Sequence, residues 1–195
     1  MAKKIAQFFL RDKTTFTALS KCGHLTIEQM KSCGLADSRI KAYVREKLVE
    51  KVHYKVGNEV REAYKMTSKG RSLAKNEWNL QKHYKAQNPT HDTALATKYF
   101  SLSTEEQQSW KTESQIYEEV FQKIQEMRQQ GDGVTATLYE KMLKDGQFSM
   151  PDGVFVQNGI EVAFEILTDK YGRKEMIAKE ATVQLMNYNY QPQKI

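Results

Sequence analysis

The sequence predicts an α/β (α+β) protein of two domains, and three observations carry that prediction. Charge is divided: residues 1–90 hold 19 Lys and Arg against 8 Asp and Glu, whereas residues 91–195 hold 11 against 16. A net charge of +6 therefore covers halves of +11 and −5. The basic half reads as short helices followed by two β-rich runs about a Gly-Asn pair, and the acidic half as a long helix, a second hairpin and a closing helix. The division falls near Pro89, giving domains 1–88 and 89–195.

Composition narrows the class. With 39% hydrophobic and 28% charged residues the chain is too apolar for wholesale disorder. Its longest apolar runs, such as Ile160 to Leu167, are too short to cross a bilayer. At the start, Arg11, Asp12 and Lys13 stand where a signal peptide needs small residues. A cytoplasmic protein without a membrane partner is expected. Cys22 and Cys33 read as reduced thiols, since His24 and His53 are not at zinc-ligand spacing.

In the basic half, Thr14 to Ser20 reads as a first helix, broken at Cys22-Gly23-His24. Thr26 caps a second beginning at Ile27, and Gly34 stops it. Asp37 or Ser38 caps a third, running to Leu48, with Ile40, Tyr43, Val44 and Leu48 on one apolar face. Val52 to Val56 and Glu59 to Met66 then flank Gly57-Asn58 as a hairpin. Helical propensity returns through Leu73 to Leu80 and fades by Pro89, which biases Asn88 away from helix.

Three short helices and then a hairpin is the order of a winged helix-turn-helix. In that arrangement the third helix enters the major groove and the wing touches phosphate. The expected contacts to double-stranded DNA are Arg39, Lys41, Arg45 and Lys47 from the helix, and Lys55 and Arg61 from the wing. The same fold also serves protein–protein contact, in which case the face of Arg39 and Arg45 is covered.

In the acidic half, Ser103-Thr104-Glu105-Glu106 reads as a capping box opening one long helix that ends at Gly131-Asp132-Gly133. Trp110, Glu113, Tyr117, Val120, Phe121, Ile124 and Met127 fall roughly on one stripe of it, with Glu113 a lone carboxylate among apolar neighbours. Met150 to Val156 and Ile160 to Leu167 flank a Gln157-Asn158-Gly159 turn as a hairpin. Along its second strand Glu161 and Glu165 share parity, so one face is expected to pack on a core and the other to present carboxylates. A helix from about Arg173 to Met186 follows. His91-Asp92 reads as a helix start or domain joint before a base and its orienter, and Tyr188 and Tyr190 as a sheet edge or partner contact before a relaxase nucleophile.

Pro151-Asp152, followed by the strand-borne Glu165, resembles the PD-(D/E)XK nuclease fold, in which oxygen ligands on adjacent strands hold Mg²⁺ against a phosphodiester. More narrowly, the chain resembles the replication-relaxation family of plasmid and integrative-element proteins. The resemblance runs through the winged-helix region, His91-Asp92, Trp110 with Glu113, Pro151-Asp152-Gly153 and Phe164-Glu165. It implies an acidic triad of Glu113, Asp152 and Glu165, with Asp152 and Glu165 as metal ligands in an active member. Two departures stand against activity. Position 167, where a nuclease has Lys and this family Asp, is Leu; Lys170, Lys174 and Lys179 are candidates to migrate into the role, though none is at the usual spacing. A last strand is also missing, unless Asn187 to Tyr190 supplies it.

The expected function is therefore that of a DNA-binding auxiliary protein of a mobile element, acting in plasmid transfer, replication or its regulation. Its reduced nuclease-like domain would serve homodimerisation or docking of a relaxase or replication protein, with no cofactor. A Mg²⁺-dependent DNA endonuclease and a transcriptional regulator are the alternatives.

Overall fold

A computed structural model of the chain describes residues 5–169 and 172–195. Contacts divide the chain into two units, the first ending at Ser103 and the second beginning at Thr104. Both mix helix and strand. Lys170, one of the lysines weighed above, lies outside the described residues.

The first unit runs α1 (Leu10–Cys22), β1 (His24–Leu25), α2 (Ile27–Ser32), α3 (Asp37–Arg45), β2 (Val49–Val56), β3 (Glu59–Met66), α4 (Ser68–Trp78) and α5 (Pro89–Ser101). Its sheet is antiparallel, in the order β1-β3-β2. Thr26 starts α2 by a capping box: its hydroxyl accepts from Gln29 N at 3.2 Å, and Gln29 Oε1 accepts from Thr26 N at 2.9 Å. α3 stops three residues short of the expected Leu48, because Lys47 turns the chain with φ 56°. Phe16, Leu19, Leu25, Met30, Ile40 and Tyr43 form the interior, each at most 2% exposed.

Helix α5 corrects the expected boundary. Pro89 occupies its first turn, where a missing N–H breaks no intrahelical bond, and the Asn88 side chain accepts from Thr90 N at 3.0 Å. Leu95, Ala96 and Tyr99 bury the helix within the first unit. Proline thus opens a helix here instead of ending a domain, and the units divide after Ser103.

The second unit runs α6 (Thr104–Ser109), β4 (Lys111–Thr112), α7 (Glu113–Gln129), α8 (Gly133–Lys144), β5 (Gly153–Gln157), β6 (Ile160–Leu167), α9 (Arg173–Met186) and β7 (Asn189–Lys194). The sheet order is β4-β5-β6-β7, antiparallel except that β7 runs parallel to β6 across the α9 connection. The single long helix expected from Ser103 is broken at Trp110. Thr112 starts α7 afresh, with Thr112 N donating to Gln115 Oε1 at 3.0 Å, while Lys111 and Thr112 pair with β5. The buried stripe of α7 is Ile116, Val120 and Ile124, one residue away from Tyr117 and Phe121, which are 48% and 45% exposed. Each of those three side chains contributes about 1.5–3 kcal/mol on burial. They pack with Ala136 of α8, Val154 of β5 and Ala163 of β6.

β5 and β6 join through Asn158 and Gly159, whose φ values of 52° and 78° give the mirror-image turn that tight hairpins prefer. Both faces of β6 are covered: Ala163 and Glu165 are 0% exposed on one, and Val162, Phe164 and Ile166 at most 3% on the other. The expected carboxylate-presenting face is therefore an interior face, because helices close over a side that alternation alone leaves open. Both cysteines are free thiols. Among the described residues no helix is long and apolar enough to cross a membrane.

Candidate functional site

Arg39, expected at the head of the DNA contacts, turns inward. Its Nε and a terminal nitrogen each lie 2.9 Å from an oxygen of Asp12, a bidentate pair with the carboxylate 0% exposed. The same terminal nitrogen donates to the Gln7 carbonyl at 2.8 Å, and Phe8, Phe9 and Tyr43 crowd the guanidinium. Asp12 also accepts from the Tyr43 hydroxyl and from Phe9 N. Burial pushes the Asp12 carboxyl upward, but hydrogen bonds from Arg39, Tyr43 and Phe9 outweigh it and hold the group below its ordinary range. The signal was present in the sequence. Asp12 lies at i of the i, i+4, i+7 stripe completed by Phe16 and Leu19, and a carboxylate there needs a buried partner.

The remaining helix cations lie outward. Lys41, Arg45 and Lys47 are exposed, as are Lys55 and Arg61 on the hairpin. Arg45 sits 3.5 Å from Glu46, and Arg61 2.8 Å from Glu59. Between α2, α3 and the hairpin lies a groove of about 520 Å³, whose walls include Ile40, Val44, Lys41, Arg45 and Lys51. Lys51, not anticipated from the sequence, bonds Glu62 at 2.8 Å. The first unit as a whole carries 20 Lys and Arg against 9 Asp and Glu.

Asp92 is sealed, 1% exposed, and accepts from His24 Nδ1 at 2.7 Å and from Gln87 N at 3.3 Å. His91 Nδ1 approaches its other oxygen at 3.3 Å. The pair His91-Asp92 therefore lies in the first turn of α5, where Asp92 ties the helix to His24 of β1 and His91 stays partly exposed.

In the second unit the fold brings Asp152, just before β5, together with Glu165 of β6. Asp152 N donates to Glu165 Oε2 at 3.0 Å, and Ile166 N to Asp152 Oδ2 at 2.7 Å. Lys179 joins them from α9: its Nζ lies 2.6 Å from Glu165 Oε1 and donates to the Met150 carbonyl at 2.8 Å. The three residues are 3%, 0% and 4% exposed. Lys179 is one of the three lysines weighed from the sequence; it arrives from a helix fourteen residues beyond Glu165, off the usual spacing.

Glu113 stands at the first position of α7, half-buried, behind the Thr112 cap. Among the described residues no group of three or more His, Cys, Asp or Glu side chains is placed to hold a metal ion. As arranged, Glu165 Oε1 is paired with the Lys179 ammonium and Oε2 accepts from Asp152 N. Tyr190 of β7 is half-buried, and burial followed by the charges of Glu165 and Asp152 pushes its phenol up to about 12. Tyr188 and Tyr190 pack against the core, which gives the pair a structural place at the sheet edge.

No protein-family model, curated protein or solved structure matches this chain.

Proposed function

We propose that this chain is a double-stranded DNA-binding auxiliary protein of a mobile element, in which the first unit is a winged helix-turn-helix and the second a nuclease-like scaffold that does not cut. The observation that carries the reading is the groove where Lys41 and Arg45 of α3 meet Lys51 of the hairpin, with Asp37 and Glu62 already paired to Lys31 and Lys51 and with Lys55 exposed farther along the strand. It sits on three helices and a sheet of order β1-β3-β2, an arrangement suited to placing a helix in the major groove and a wing on phosphate. Lys47 and Arg61 extend the phosphate contacts, and Arg39 supports the helix from within. In the second unit the Lys179 ammonium occupies the carboxylate that a catalytic ion needs, which favours a retained framework. The strand β7 lies at the edge of its sheet and offers pairing to a second copy or to a relaxase or replication protein.

The test is binding of the full chain to labelled duplex DNA at two salt concentrations, with and without Mg²⁺, resolving bound from cut product. Salt-sensitive binding without cutting, weakened by Lys41→Ala with Arg45→Ala, is expected. Absence of binding at low salt overturns the reading.

One observation favours a Mg²⁺-dependent endonuclease instead: Lys179 supplies beside Glu165 the basic group that Leu167 lacks. In that case Lys179 has to leave Glu165 before an ion can enter. Cutting that requires Mg²⁺ and disappears in Asp152→Asn establishes this reading over the first.

A further inference from the structure

A second concentration of positive charge lies away from α3. At the root of the hairpin a cavity of about 510 Å³ opens between the end of α1, the exit of β3, the start of α4 and residues 83–86. Lys65, Arg71, His83 and Lys85 line it, over a floor that includes Leu19 and Met66. The one carboxylate on its wall, Glu50, is engaged with Lys65 at 3.2 Å.

The walls are built. Arg71 is held by donating to the Met66 carbonyl at 3.0 Å and to Ser68 Oγ at 3.1 Å, both neutral groups. His83 Nδ1 lies 2.9 Å from Ser20 Oγ, which leaves Nε2 as the nitrogen available to a ligand. Tyr84 N donates to the Ser20 carbonyl at 2.8 Å, pinning this wall to α1. Burial and then the charge of Arg71 lower the His83 pKa, so the ring offers the ligand a neutral donor and not a third charge.

We propose that this cavity binds a small phosphate-bearing ligand of nucleotide size on Arg71, His83 and Lys85. A guanidinium fork matches two phosphate oxygens, and an ammonium adds a mobile point charge. With Lys65 paired to Glu50, Arg71 and Lys85 remain, so a single carboxylate would leave one of these two cations uncompensated, whereas a di- or triphosphate group neutralises both. The volume falls in the range of about 300–1,000 Å³ that small-ligand sites occupy. The site is independent of the duplex-binding face, since no residue of α3 lines it.

Calorimetric titration of the full chain at physiological salt tests the site, with inorganic pyrophosphate and adenosine diphosphate as probes and adenosine as the uncharged control. Expected are one saturable site per chain for both phosphorylated probes and none for adenosine. Affinity should fall at least tenfold in Arg71→Gln and severalfold in Lys85→Gln, and change less than twofold in Lys41→Gln with Arg45→Gln. If Arg71→Gln fails to fold through loss of its hold on Met66, the exposed Lys85→Gln carries the test. Absence of saturable binding overturns the proposal. So does binding to several equivalent sites, or equal weakening by the α3 variants, either of which marks diffuse attraction.

Discussion

The ammonium of Lys179 lies 2.6 Å from Oε1 of Glu165, with the two side chains 5% and 0% exposed. Such a pair carries a desolvation cost for each ion that only the partner and the surrounding hydrogen bonds offset. Removing one partner is therefore worse than removing both. Lys179→Met alone should destabilise the chain by about 3–5 kcal/mol, and Glu165→Leu with Lys179→Met should recover most of that loss. Urea unfolding of the two single variants and the double variant measures the coupling. Additive losses would show that the ions do not depend on each other.

Asp12 should contribute to the acid sensitivity of the first unit. Its folded-state pKa lies below the ordinary value of 3.8, so its contribution is present above that value and is lost as pH falls through the lower folded-state value. The urea midpoint should drop between about pH 5 and about pH 2, and Asp12→Asn should be less stable at neutral pH with a flatter acid dependence. An unchanged acid dependence in Asp12→Asn would remove Asp12 from that role.

Arg39 and Lys41 should separate stability from DNA affinity. Arg39→Ala strands Asp12 and is expected to cost about 3 kcal/mol of folding stability. Lys41→Ala should leave the fold unchanged while lowering the slope of log affinity against log salt by about 0.9. Thermal unfolding together with duplex titrations over a salt series distinguishes them. A stable Arg39→Ala that has lost DNA binding would instead place Arg39 on the interface.

Gly153 lies against an indole. A Cβ at that position would come within 2.2 Å of the Trp110 ring, which is itself 1% exposed and stacked on Phe155 at 5.9 Å. Gly153→Ala should cost about 1–3 kcal/mol through overpacking and shift tryptophan emission to the red. Unchanged emission and stability would mean that the ring moves aside freely.

Legibility followed locality. The Thr26 cap, the Gly57-Asn58 and Asn158-Gly159 hairpins and the Arg173–Met186 helix were readable because their signals lie within a few residues. Signals that compete locally were misread. Pro89 marks a helix start as readily as a chain break, and Thr112 with Gln115 restarts a helix inside what reads as one run. Helix α8 begins with Asp132 accepting from Thr135 N at 3.2 Å, inside a Gly131-Asp132-Gly133 stretch that reads as a helix end. The identity of a partner distant in sequence is not carried by a local pattern: the stripe of Asp12 asks for a partner without naming Arg39, the migrated lysine could be any of three before α9 brings Lys179 to Glu165, and nothing local joins Asp92 to His24. In each of these the opposite group arrives from another element.

Helix α5 also decides where the polypeptide can be severed. A fragment ending at residue 88 would strip away Asp92, leave His24 without its carboxylate and open the surface that Leu95, Ala96 and Tyr99 cover. Cleavage after Ser103 keeps all of these together. Limited digestion should therefore spare the Asn88–Pro89 bond and favour the exposed positions at Ser101 and Ser103–Glu105, and an expression fragment of the first unit should carry α5 with it.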